Sequence, residues 1–136
     1  MEISYSEKIN APIQKVWEAL ILKIEHPEMF APNVSNVKII QKTADYVIRQ
    51  MRIKNNETQI DLVEKITDSP FLVRFEIVSH PRFEGYVTNE AFKINERETE
   101  LKYSMNWMDK ATLSEANNLE ILKSAVLLSK AFIENQ

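Results

Sequence analysis

The stretch IEHPEMFAPNVSN, residues 24–36, decides the fold. It follows an apolar run at helical spacing, and it carries a histidine and two prolines. A residue before proline is pushed out of the α region, so His26 before Pro27 stops or kinks the preceding helix near Glu25. Pro27 suits the first position of a new helix, where its missing N–H is not needed. Pro32 then ends that short second helix around PEMF. Asn33 follows where a left-handed turn is expected, because asparagine tolerates that region better than other non-glycine residues. The segment reads as a helix, a bend, one helical turn and the entry into a sheet.

Upstream, residues 2–10 alternate. Ile3, Tyr5 and Ile9 share one face while Ser4, Ser6 and Lys8 share the other, the period of a half-buried strand. Asn10 is placed to cap the helix that follows, and Pro12 to open it. Ile13, Val16, Trp17, Leu20, Ile21 and Ile24 recur at helical spacing as one apolar stripe. Downstream comes strand after strand: NVKIIQK, DYVIRQMRI, TQIDLVEKIT, FLVRFEIVS, FEGYVTNEAFKI and TELKYSMNWM, with turns at KNNE, DSP, HPR and NERE. Thr112 with Glu115 three residues on has the spacing of a capping box, which predicts a last helix from about 113 to 134. One strand, two short helices, about six meandering strands and a long helix make an α+β layer architecture, in one domain over 1–136.

Composition narrows function by exclusion. A net charge of −3 with no basic run argues against a nucleic-acid partner. No apolar run approaches the roughly 20 residues that span a bilayer, and the start MEISYSEKIN is not that of a signal peptide. The expectation is a cytoplasmic protein that inserts in no membrane. The absence of cysteine rules out disulfides, thiol catalysis and Cys-ligated metal. A single glycine rules out the Gly-rich phosphate loops. His26 and His80 are the only imidazoles, each precedes a proline, and no His-x-x-x-His occurs, so neither metal nor cofactor is expected. No G-x-S-x-G elbow supports a serine triad.

The element order is the helix-grip plan, and the whole chain resembles the START-like superfamily, also called SRPBCC. More narrowly, LILKIEHPEMFAPNVSNVKII, continued through DYVIRQMRI, is similar to the signature of its AtaL-like branch. In that branch a helix ends in Asn/His-Pro, an apolar x-x-F-x-P follows, and the first long strand begins. The branch pattern often has Gly where this chain has Asn33. The resemblance implies a curved antiparallel sheet of about seven strands around the C-terminal helix, with a cavity between them and the short helices plugging one end. Superfamily members bind lipids, sterols, polyketides or plant hormones, catalyse cyclisations or hydrolyses, or act as co-chaperones.

Strand parity says which residues face that interior. With Asn55-Asn56 as a two-residue turn, paired positions on the flanking strands sum to 111. The inward set is then Val47, Arg49, Met51 and Ile53 facing Ile60, Leu62, Glu64 and Ile66. Arg49 lies opposite Leu62 and diagonal to Glu64, within reach of long side chains. A three-residue turn would set Arg49 against Asp61 instead. Either way a buried guanidinium needs an acidic neighbour, because an unpaired buried charge costs several kcal/mol. Such a pair serves either as a structural ion pair or as an anchor for a ligand carboxylate or hydroxyl. Later strands add Phe75, Asn89, Tyr103 and Trp107, and the second short helix adds Phe30. A mostly apolar lining with a few polar groups describes both a small-molecule pocket and an ordinary core. The last helix carries Leu119, Leu122, Val126 and Ile133 on one stripe and Ile121, Ala125, Leu128 and Phe132 beside it, enough apolar cover for core, cavity or a partner chain. No feature of the sequence supports an oligomer. Three functions follow: a binding module for a small hydrophobic ligand; a cyclase, dehydratase or hydrolase using Arg49, Glu64, Tyr103 and His80; and a co-chaperone-like interaction module.

Overall fold

In the computed structural model, which describes all 136 residues, the His26-Pro27 junction is the hinge of the N-terminal half. β1 (Ile3–Ile9) leads into α1 (Ile13–Glu25), which ends at His26 with φ −130° and ψ 55°. Pro27–Met29 forms a single 3-10 turn, so the second helix expected there is only that turn, and α1 is one helix of 13 residues. The sheet strands follow: β2 (Val34–Lys42), β3 (Val47–Asn55), β4 (Thr58–Ser69), β5 (Leu72–Ser79), β6 (Phe83–Lys93) and β7 (Thr99–Asp109). A two-residue strand, β8 (Ser114–Glu115), precedes the final helix α2 (Leu119–Glu134).

Every strand pairing is antiparallel, in the spatial order β1-β7-β6-β5-β4-β3-β2, and β8 pairs with the end of β7. The chain thus closes β1 onto β7 and meanders outward. α2 packs on β1 and β7, while α1 packs on β6 and β7. Ile9, Val16, Leu20, Val73, Leu101, Val126 and Ile133 are the best-buried members of the core between these layers. Fully burying each such side chain stabilises the fold by roughly 1.5–3 kcal/mol. Gly85, the only glycine, has φ 125°, and a Cβ there would lie 2.0 Å from the Asn106 carbonyl oxygen. β6 runs this close to β7 here, which only glycine permits.

Several expectations are corrected. The β3–β4 turn is Asn56-Glu57, with positive φ at Asn56 alone, and Asn55 stays in its strand opposite Thr58. Paired positions therefore sum to 113, and Arg49 faces Glu64 directly, while Asp61 pairs with Arg52 on the other face. The shift from 111 is two residues, which leaves every side chain on its expected face. Asn33 takes no left-handed conformation. Asn36 does (φ 52°), beside a bulge in β2. Asn10 does not cap α1. Its N–H donates to Glu134 Oε2 instead. The last helix starts six residues late. The Asp109 carboxylate takes the N–H groups of Ala111 and Thr112, Leu113 adopts φ 56°, and β8 forms where the capping box was expected. Asn118 is the true cap, its Oδ1 accepting from the Ile121 N–H at 3.2 Å. Of the apolar residues assigned to helix stripes, Ile21, Leu119, Ile121 and Leu128 are exposed.

Candidate functional site

Three lateral rows of inward side chains cross the sheet next to the end of α1. One runs Val73, Asn89, Tyr103, Tyr5; the next Val47, Ile66, Phe75, Val87, Met105, Ile3; the third Arg49, Glu64, Ile77. The apolar middle row separates two polar groups.

The Arg49 group is balanced. Its Nη2 donates to Glu64 Oε1 at 2.6 Å, and its Nη1 donates to the carbonyls of Ile24 (2.8 Å) and Lys23 (3.2 Å). In an unbroken helix the Lys23 carbonyl would accept from the residue four on, but that residue is Pro27, which has no N–H. Arg49 supplies the missing donor. The ion pair, with side chains only 3% and 6% exposed, thus seals the end of α1 against the sheet. This accounts for a buried guanidinium without any ligand, although its Nε is left without an acceptor.

The second group centres on Lys23, which the sequence reading missed. Its Nζ donates to Asn89 Oδ1 at 2.7 Å and to the Tyr103 hydroxyl at 3.1 Å, and it lies 4.3 Å from the centroid of the Tyr103 ring. The Tyr103 and Ser129 hydroxyls lie 2.5 Å apart, so α2 closes over this group. Asn89, fully buried, has an amide Nδ2 with no partner. No carboxylate touches Lys23. Desolvation lowers its pKa to about 7, repulsion from Arg49 adds to that, and Glu64 partly opposes it. Burial raises the Tyr103 pKa far above its ordinary value, so the phenol stays protonated. Lys23 lies three residues after Leu20 and seven after Val16, in phase with the buried stripe, and Ser129 is in phase with Leu122, Val126 and Ile133. That phase was the available signal for both.

Apart from Phe75, the other expected site residues lie away from this cluster or at its margin. Met51 pairs with Leu62 one row beyond Arg49 and Glu64. Phe75 is central, with both cations 5.4 Å from its ring centroid. Phe30 stacks on Phe132 at 4.2 Å and lines a groove of about 460 Å³ between the 3-10 turn and the end of α2. A second cleft of about 340 Å³ runs along the outer side of α2. Neither is lined by Lys23, Arg49, Asn89 or Tyr103. Trp107 is half-buried against Phe83 and His80, its indole N–H without an acceptor. His80 is tied into the turn through one ring nitrogen. Its Nδ1 accepts the N–H groups of Arg82 and Phe83 at 2.9 and 3.0 Å, and burial, with Lys110 adding to it, lowers its pKa. His26 is exposed at the hinge, 3.5 Å from Glu28. Nowhere do three His, Cys, Asp or Glu side chains converge as a metal site. No helix is long and apolar enough to cross a membrane.

The family model described as acetylaranotin biosynthesis cluster protein L, AtaL, matches residues 3–125. No curated protein matches the chain. Solved structures share the fold at low identity. Norcoclaurine synthase from Thalictrum flavum, in complex with dopamine and hydroxybenzaldehyde, is 13% identical at a TM-score of 0.76, over 100% of this chain and 87% of that one. The Zhui aromatase/cyclase from Streptomyces sp. R1128 is 13% identical at 0.72, over 99% and 85%. A START superfamily protein from Mycobacterium smegmatis is 10% identical at 0.71, over 98% and 94%.

Proposed function

Because the chain belongs to the AtaL family and carries the START-like helix-grip fold, we propose that it binds a small hydrophobic or amphiphilic molecule between the sheet and α2, its polar end at Lys23, Asn89 and Tyr103. Members of this fold bind hydrophobic ligands or act as aromatase/cyclases. The observation that carries the reading is the fully buried Asn89 amide, which holds Lys23 with its oxygen and offers its nitrogen to nothing in the protein. Buried polar atoms of native proteins are nearly always paired, so a buried donor without a partner calls for an explanation. Phe75 and Met105 supply apolar surface beside it, and both are buried. Entry then requires the Tyr103–Ser129 contact to part, since α2 is the lid of this space.

Native mass spectrometry of protein purified from its own host tests the reading. A retained small-molecule adduct in the parent, lost in Asn89→Leu, is the expected result. A bare parent protein that also takes up no amphiphile from an added panel would overturn it.

A second reading, an enzyme of the cyclase or dehydratase kind, is favoured by one feature. Lys23, with a pKa of about 7, is a base near neutrality, and the protonated Tyr103 is a proton donor 3.1 Å away. It predicts turnover of the bound molecule, seen as a mass change that Lys23→Met abolishes.

A further inference from the structure

We infer that the molecule held at this site presents a monoanionic acceptor, a carboxylate or its equivalent, to Lys23 and Asn89. This deepens the binding reading above and rests on it.

The argument begins with charge. Two cations, Lys23 and Arg49, flank the Phe75 ring, and the cluster contains one carboxylate, Glu64, which is committed to Arg49 at 2.6 Å. The interior therefore carries one positive charge in excess whenever Lys23 is protonated. An unpaired buried charge is strongly unfavourable, and a single negative charge brought in by a ligand removes the imbalance. The unpartnered atom beside Lys23 points the same way. Asn89 Nδ2 is a donor on a fully buried side chain. A carboxylate accepts only, so it satisfies donors without adding a proton that needs a partner of its own.

The neighbours of Lys23 fix how pH enters. Arg49 on β3 and Glu64 on β4 are the charged groups acting on it. Tyr103 on β7 stays protonated, while Asn89 on β6 and Ser129 on α2 do not titrate. On α1 itself Glu25 is paired with Lys42 at the surface, and on the 3-10 turn Glu28 lies beside the exposed His26. Lys23 is thus the one group of the cluster whose charge changes near neutrality. An anion pairs with its charged form, so binding draws a proton onto Lys23 above about pH 7. Affinity for the anion then falls by up to tenfold per pH unit.

The test is isothermal calorimetry with matched pairs that share a body and differ in the head: 2-naphthoate against 2-naphthylmethanol, and dodecanoate against dodecanol. Each is titrated near pH 6.5 and near pH 8.5, in buffers of different ionisation enthalpy. The expected result is a carboxylate preference of at least tenfold at the lower pH, weakening at the higher pH, with uptake of up to one proton there. In Lys23→Met the preference disappears, and in Lys23→Arg it persists without pH dependence. Equal binding of acid and alcohol with no proton uptake overturns this inference and leaves the binding reading standing. If no member of either pair binds, the binding reading fails and takes this inference with it.

Discussion

Arg49 and Lys23 sit at the same distance from the Phe75 ring, yet they are opposite cases of an inward-turned cation. Arg49 has its carboxylate and two helix-end carbonyls, and its role is explained by the proline that removed a donor from α1. Lys23 has an amide oxygen, a phenol and two aromatic faces, and no negative charge. A charge balanced by its own carboxylate needs no ligand to account for it. A charge held inside by neutral groups is stable only because it can lose its proton, and that same ability is what a ligand can use. The residue singled out by strand parity is the one that has a carboxylate partner within the protein.

The largest expected effect separates these roles. Arg49→Met strands Glu64 and removes the donors at the end of α1, so it should cost about 3–5 kcal/mol in chemical denaturation. Adding Glu64→Leu should recover much of that loss but not all, because the Lys23 and Ile24 carbonyls still lack donors. A single variant as stable as the parent would break the comparison on its architectural side.

The next concerns Lys23 and pH. Its folded pKa of about 7 lies below its ordinary 10.5. The unfolded chain therefore holds the proton more tightly than the folded one between those values, and stability rises with pH across that window. Below about pH 7 both states are protonated and the full penalty on the folded state applies. Thermal unfolding of the parent should gain on the order of 10 °C between about pH 7 and 10. Lys23→Met should lack that gain, whatever its absolute stability, since it also leaves the Asn89 oxygen unpaired. A parent and variant that change in parallel with pH would show that Lys23 is an ordinary surface lysine.

The smallest effect comes from the same hairpin. Arg52 and Asp61 are cross-strand partners at 3.0 Å, as Arg49 and Glu64 are at 2.6 Å, but their side chains are 38% and 46% exposed. Arg52→Ala should change stability by no more than about 1 kcal/mol, as exposed ion pairs do. A loss equal to that of Arg49→Met would mean that burial is not what distinguishes the two.

These pairs also show why some features were legible in the sequence and others were not. The β3–β4 faces were readable because parity survives a two-residue error of register, so Arg49 and Glu64 came out inward even with the turn misplaced. The bend at His26-Pro27 was readable because proline acts locally. The start of α2 was not. Thr112 and Glu115 carry a capping pattern, but Asp109 takes the local N–H groups and the backbone turns through Leu113 instead. The site was half legible. Asn89 and Tyr103 follow from strand alternation, whereas Lys23 joins them only once α1 is laid across β6 and β7. Its helical phase placed it on the buried side, but a lysine in an apolar stripe is easily taken for one whose charged end reaches solvent.

The central claim is that half-buried Lys23 turns an unbalanced ammonium inward, and NMR titration of its ε-carbon in lysine-labelled protein tests it most directly. A midpoint near pH 7, assigned by its absence in Lys23→Arg, is the predicted result. A midpoint above about pH 10, where model lysines titrate, would contradict the account.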